Sequence, residues 1–210
     1  MVRDRLARAR LYFVSDEVET LPAAIAGGID VFQLRMKDSD DDQVLAAAAR
    51  AREHCLAAGV LLVVNDRPEL AVAAGADGVH VGQDDATVAR AREIVGPERI
   101  VGLSTHCAAD LAGAEGADYV GVGPVHATPT KAWRPAAGLE YVRHAAQHGS
   151  VPWFAIGGVD ATSLPAVLEA GARRVAVVRA IRDASDPLAA TRELRAALDA
   201  VAMEVPVGAP

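Results

Sequence analysis

Aromatic side chains are scarce in this chain: Phe, Trp and Tyr make up 4% of the residues, although 51% are hydrophobic. The core must therefore be aliphatic, built from Ala, Val, Leu and Ile. Cysteine is rarer still. Two unclustered thiols, Cys55 and Cys107, make neither a zinc site nor a disulfide framework, and both read as reduced structural residues. Positive charge is also short. A formal net charge of −7 and a pI near 5.3 argue against broad binding to nucleic acid or a membrane surface. They leave room for a local cationic pocket that takes a small anion. No run of ~18 apolar residues occurs, so nothing reads as a membrane span. The charged opening MVRDRLARARLYFV lacks the apolar stretch of a secretion signal. A cytoplasmic, acidic globular protein is expected. Its 210 residues suffice for one large domain that buries ~70% of the unfolded chain's surface without a disulfide or metal staple.

What the sequence does contain is a series of short apolar runs: LYFV (11–14), VFQL (31–34), LLVV (61–64), GVHVG (78–82), IVGLS (100–104), YVGVG (119–123), WFAIG (153–157) and RVAVV (174–178). Most are too short for helices and rich in Val, Ile or aromatics, as buried strands are. Ala-rich segments with helical spacing lie between them, such as DDQVLAAAARAREHCLAAG and ATVARAREIVG, with a trailing Gly suited to a C-cap. A local signature recurs where helix meets strand: GGIDVF, AGADGVHV, EGADYVGV and AGARRVAVV. Eight strands alternating with helices predict an α/β fold, a single-domain (β/α)8 TIM barrel over residues 1–202. The competing open, doubly wound sheet lacks its G-x-G-x-x-G after the first strand. The last residues, MEVPVGAP (203–210), have no periodicity and read as a flexible tail.

In such barrels the site forms at the C-terminal ends of the strands, so the informative residues are those that follow each apolar run. In VFQLRMKDSD, Gln33, Arg35 and Lys37 alternate and should share one strand face, with Leu34 and Met36 on the other. Asn65, Asp66 and Arg67 follow strand three; Gln83, Asp84 and Asp85 follow strand four; Ser104, Thr105 and His106 end strand five. Strand six leads to Lys131, strand seven to Gly157 and Gly158, and strand eight to Val178 and Arg179. Asp66 and Asp85 are hard oxygen donors from adjacent strands and suit Mg²⁺. Each could instead cap the helix that follows it, and Asp84 competes for the ligand role. Arg35, Lys37 and Lys131 predict a phosphate or pyrophosphate partner, with internal salt bridges to the aspartates as the alternative. Glycines after strand seven suit a backbone phosphate cradle. His54, His144 and His148 read as surface residues and His80 as a hydrogen-bonded core residue; His106 and His126 lie nearer the mouth.

Taken in order, VFQLRMKD, VVNDR, GVHVGQDD, GLSTH, DYVGVGPVHATPTK, PWFAIGGV and VAVVRAI resemble the thiamine-phosphate synthase family across residues 10–182. The resemblance implies a transferase that joins a pyrimidine diphosphate to a thiazole phosphate, with the carboxylated thiazole as an alternative acceptor, and releases pyrophosphate with the help of Mg²⁺. It implies that Gln33, Leu34, Arg35, Met36, Lys37, Asn65, Ser104 and Lys131 contact the pyrimidine diphosphate, with Arg35, Lys37, Ser104 and Lys131 serving catalysis. Asp66 and Asp85 match the metal ligands. Thr128, Pro129, Thr130, Gly158, Val178 and Arg179 match the thiazole-phosphate contacts, although many members carry Ser where this chain has Arg179. The expected partners are small phosphorylated molecules, without nucleic acid or membrane, and barrels of this size often self-associate. Loop TPTKAWRPAAG, with Trp133 and Pro135, is the candidate lid. Two rivals remain: a thiazole tautomerase on the same barrel, needing a general acid/base such as His, and a non-catalytic phosphate-ligand sensor.

Overall fold

Each apolar run becomes a strand: β1 (Leu11–Ser15), β2 (Val31–Leu34), β3 (Leu61–Asn65), β4 (Gly78–Val81), β5 (Ile100–Thr105), β6 (Tyr119–Val122), β7 (Trp153–Ile156) and β8 (Val175–Val177). The computed structural model describes residues 1–127 and 135–201, so the expected tail at 203–210 lies outside the described residues. All strand pairs are parallel and sequential, and β8 closes on β1. This is the eight-stranded barrel expected, in one domain. A short helix that the sequence did not announce, α1 (Val2–Arg8), precedes β1 and buries Leu6 among side chains of the barrel interior.

Period-two alternation sorts the strand residues into two apolar layers. Tyr12, Val14, Val31, Leu61, Val63, Ile100, Tyr119, Phe154 and Ala176 fill the interior. Their neighbours Leu11, Phe13, Phe32, Leu34, Leu62 and Val64 point outward against the helices. The longest helix, α3 (Asp41–Ala58), starts at a capping box. Asp40 Oδ1 accepts the Gln43 N–H at 2.8 Å, and Gln43 Oε1 accepts that of Asp40 at 3.2 Å. It ends at Gly59 in the left-handed conformation, as the trailing Gly predicted.

The recurring helix-to-strand signature has a physical use. Asp30, Asp77 and Asp118 stand just before β2, β4 and β6. Their carboxylates accept backbone N–H groups of Leu11, Leu62 and Val101 at 3.0, 2.9 and 2.7 Å. Each aspartate also donates its own backbone N–H to the carbonyl of that same residue at 2.8 Å. Three even-numbered strands are thereby locked to the odd-numbered strand before them. These contacts gather at the N-terminal end of the barrel and leave the C-terminal end free to be shaped otherwise.

Candidate active site

The C-terminal end opens into a cavity of about 590 Å³, to which all eight strands contribute lining residues. One wall is charged. Arg35, just past β2, fixes its backbone by donating its N–H to the Ser15 carbonyl at 2.8 Å, and its guanidinium has no carboxylate partner among the described residues. Two residues on, the Lys37 ammonium lies 3.0 Å from Asp66 Oδ2. Asp66 has φ +61°, the only positive φ of a non-glycine among the described residues. The Arg67 N–H closes a three-residue turn around it onto the Asn65 carbonyl at 2.8 Å. Such backbone persists only where its surroundings over-determine it, and it turns the Asp66 carboxylate toward the mouth rather than the helix behind it. Arg67 itself clamps the loop bearing Lys37, donating to the carbonyls of Ser39 at 2.8 Å and Lys37 at 3.3 Å and pairing with Asp41 at 3.0 Å.

Asp85 faces Asp66 from the β4 side. It accepts the Gly82 N–H at 2.9 Å. Desolvation at the crowded mouth and the neighbouring Asp66 push its carboxyl above the usual range, while the Gly82 N–H and Lys37 pull the other way. Helix capping does not account for either aspartate. Helix α4 (Pro68–Ala73) begins after Arg67 with no side-chain cap, and α5 (Val88–Val95) is capped by Thr87, whose Oγ1 accepts the Arg90 N–H at 3.2 Å. The salt-bridge alternative holds in part: Lys37 does pair with Asp66. Asp84 is exposed and does not line the cavity.

Below this wall lies a hydrogen-bonded floor. Gln33 Nε2 donates to the Tyr12 hydroxyl at 2.7 Å, Tyr12 and Tyr119 share a hydroxyl contact at 2.8 Å, and Tyr119 meets His80 Nδ1 at 3.1 Å. His80 Nε2 meets Ser104 Oγ at 2.9 Å. Burial raises the pKa of both phenols well above its ordinary value, so each keeps its proton. Glycine makes this crossing of the barrel possible. A Cβ on Gly102 would lie 2.2 Å from Tyr119 Cζ and 2.5 Å from His80 Nδ1.

The opposite wall is made of backbone. Beyond the strand ends, Val125 and His126 donate N–H groups to the Ile156 and Gly157 carbonyls at 2.8 and 2.9 Å, extending the β6–β7 pairing. Gly157 and Gly158 adopt φ of +103° and +65°, and a Cβ on them would lie 2.5 Å from Pro124 Cβ and 2.7 Å from His126 Cβ. Only glycine meets both demands. Gly158, Val178 and Arg179 all line this wall, with Val178 and Arg179 at the start of α9 (Arg179–Arg182) after β8. Asp160, at the same wall, accepts the Ser163 N–H, the largest influence that holds its carboxyl below the usual range.

Gln33, Arg35, Lys37, Asn65, Asp66, Asp85, Ser104, Gly158, Val178 and Arg179 are thus brought to one cavity. Leu34 and Met36 are not: they pack in the apolar layer under the helices. Thr128, Pro129, Thr130 and Lys131 lie outside the described residues, as does Trp133 of the expected lid. His80 is buried and hydrogen-bonded as expected, and His106 and His126 do reach the cavity. Sequence reasoning missed Tyr12 and Tyr119. Their phase was legible, since each begins an inward series, Tyr12–Val14 and Tyr119–Gly121, but a tyrosine in an apolar run reads as core.

Known proteins resemble this chain in sequence and in fold. Residues 9–181 match the family model described as thiamine monophosphate synthase. The thiamine-phosphate synthase of Thermobifida fusca is 50% identical over 213 residues, covering 96% of this chain and 97% of its own length. That of Nostoc sp. is 49% identical over 205 residues, covering 95% of this chain but 58% of its own, so the chain spans little more than half of such longer relatives. A solved thiamine phosphate pyrophosphorylase from Pyrococcus furiosus superposes with a TM-score of 0.86 at 32% identity, covering 95% of this chain and 98% of that one.

Proposed function

Because the chain belongs to the thiamine monophosphate synthase family, we propose that it condenses 4-amino-2-methyl-5-hydroxymethylpyrimidine diphosphate with 4-methyl-5-(2-phosphoethyl)thiazole, giving thiamine phosphate and pyrophosphate. The carboxylated thiazole is the alternative acceptor. One observation carries this reading: a single cavity sets cations and two carboxylates on its β2–β4 wall, opposite a glycine-shaped backbone wall at β7 and β8. Two phosphorylated substrates need two such places.

The thiazole nitrogen is a neutral nucleophile and needs no base. The demand falls on the C–O bond to the leaving diphosphate. As that bond stretches, negative charge grows on the leaving oxygen, and Arg35, Lys37 and Lys131 are the cations we assign to it. The pyrimidine methylene cation left behind is stabilised by conjugation with the ring's amino group, while Gln33, Asn65 and Ser104 hold the ring. Leu34 and Met36 could serve this substrate only through their backbone. On the other wall, Gly158, Val178 and Arg179, with Thr128, Pro129 and Thr130, hold the thiazole phosphate so that its nitrogen is aligned for capture. Arg179 adds a cation to that wall.

Asp66 and Asp85 fit Mg²⁺. They are hard oxygen donors; desolvation and then the facing Asp66 raise Asp85, a cost that a dication would relieve. Among the described residues no third acidic, His or Cys side chain joins them, and Mg²⁺ ordinarily completes its shell with water and substrate phosphate. Bound there, Mg²⁺ would add positive charge against the leaving diphosphate. A cytoplasmic location and self-association belong to the same proposal; among the described residues no helix is long and apolar enough to cross a membrane.

The test supplies both substrates with and without Mg²⁺ and measures thiamine phosphate and pyrophosphate. Stoichiometric, Mg²⁺-dependent formation of both is expected. No product under either condition would overturn the reading in favour of the tautomerase or the sensor.

A further inference from the structure

The floor of the cavity has a property that none of its hydrogen bonds has alone. A protonated phenol in this chain can donate once. Gln33 Nε2 donates to Tyr12, so Tyr12 directs its own proton to Tyr119, and Tyr119 directs its proton to His80 Nδ1. A neutral imidazole that accepts at Nδ1 carries its proton on Nε2, and donates it to Ser104 Oγ. The Ser104 hydroxyl proton is then left to the cavity, which Gln33 also lines, with Nε2 committed to Tyr12 and Oε1 not. The reverse order, Ser104 to His80, His80 to Tyr119, Tyr119 to Tyr12 and Tyr12 to Gln33 Oε1, requires the Gln33 amide turned over from the orientation it has here, in which Nε2 meets the Tyr12 hydroxyl. Any mixed order sets two protons or two lone pairs against each other at a buried link, which costs an unmade hydrogen bond.

We infer that Tyr12, Tyr119 and His80 are positioning residues that lock Gln33 as an acceptor and Ser104 as a donor, and so select an amino over an oxo pyrimidine. The inference rests on the pyrimidine assigned above. An amino substituent donates and wants the Gln33 carbonyl, while the adjacent ring nitrogen accepts and wants the Ser104 hydroxyl. An oxo substituent with a protonated ring nitrogen reverses both demands. It could bind only by inverting the whole chain or by leaving a buried pair unmade. The sites at the two ends are therefore set together, although three side chains separate them.

The test reads the His80 ring directly. In protein labelled with ¹⁵N-histidine, His80→Asn identifies the His80 signals among the six histidines. The unliganded protein should show His80 with its proton on Nε2. Gln33→Glu replaces the donor at the far end by an acceptor, so it should reverse the chain and move the His80 proton to Nδ1. Adding Tyr12→Phe to Gln33→Glu cuts the chain, and the proton should return to Nε2. An Nδ1 proton in the unsubstituted protein would overturn the assigned polarity. An unmoved proton in Gln33→Glu, a charged imidazolium there, or a reversal that survives Tyr12→Phe would each overturn the coupling.

A second measurement stands apart from those variants' folding. The unsubstituted protein should prefer the amino diphosphate over its oxo analogue by on the order of 10²-fold or more, read as the ratio of the analogue's inhibition constant to the dissociation constant of the amino diphosphate measured without the thiazole. Tyr12→Phe and Tyr119→Phe should each lower that ratio about tenfold, and an unchanged ratio would overturn the role in selection. If the His80 proton moves as described but no condensation occurs, the linked floor stands and the proposed reaction falls. If condensation occurs and the proton does not respond, the reaction stands and the linkage falls.

Discussion

Asp118 and Asp66 stand at opposite ends of the same barrel. The Asp118 carboxylate accepts the Val101 N–H, pairs with Arg92 and receives the Arg3 guanidinium at 2.7 Å, and is 12% exposed. Asp66 sits on left-handed backbone, meets one half-exposed lysine and faces a second carboxylate. The two share a residue type but differ in how completely their charge is answered within the chain. Asp30 repeats the Asp118 pattern, accepting two backbone N–H groups and the Arg195 guanidinium. Charge answered by the backbone that carries it stabilises the fold. Charge turned toward a cavity and left partly unanswered is available to a ligand, at some cost to the fold.

Substitutions can break this contrast. At the C-terminal end, Arg35→Ala, Lys37→Ala or Lys131→Ala should reduce turnover of the two substrates by ~10²-fold or more, the scale of losing one strong electrostatic contact. Urea midpoints of the Arg35 and Lys37 variants should stay near that of the unsubstituted protein, because both side chains are partly exposed; a large fall in midpoint with turnover intact would reverse the contrast. At the N-terminal end the expectation is inverted. Asp118→Ala strands the Val101 N–H and two arginines, and should cost about 2–3 kcal/mol in urea unfolding with little loss of turnover per folded molecule. Gly102→Ala falls between the two, because it drives a methyl group into Tyr119 and His80. It should cost about 1–3 kcal/mol and also lower turnover.

The smallest effect belongs to Asp85. Its raised carboxyl means the folded chain holds that proton to a higher pH than the unfolded chain does, so ionising it at neutral pH costs stability, and the cost vanishes below the ordinary aspartate range. Asp85→Asn should therefore raise the melting temperature slightly at pH 8 without Mg²⁺ and leave it unchanged in acid. Mg²⁺ should raise the melting temperature of the unsubstituted protein and not that of the variant. Equal responses to Mg²⁺ in the two would remove Asp85 from the metal site.

Most of the architecture was legible in the sequence because it is periodic. Eight β-rich runs, spaced by Ala-rich helical segments, have few other ways to close, and alternation in VFQLRMK separated the inward Gln33 and Arg35 from the outward Leu34 and Met36. The strand ends shifted by a residue or two; β8 covers only Val175–Val177 of its run, and the Arg174 side chain just before it donates to the carbonyls of Ala7 and Ala9. What could not be read were features that depend on pairs far apart in sequence. The meeting of Tyr12 and Tyr119, the room that Gly102 gives them, and the opposition of Asp66 and Asp85 exist only once the barrel has closed. The signature aspartates were visible as turn markers, but their bonds to the preceding strand became apparent only in the register of the sheet.

The central claim is that the charged C-terminal wall exists for the leaving diphosphate rather than for the fold. Pyrophosphate release from the two substrates with Mg²⁺, measured beside thermal melting in the unsubstituted protein and in Asp66→Asn, tests it most directly. The account predicts release at least ~10²-fold slower in the variant, with melting unchanged or slightly higher. Release at the normal rate in a variant that melts markedly lower would contradict it.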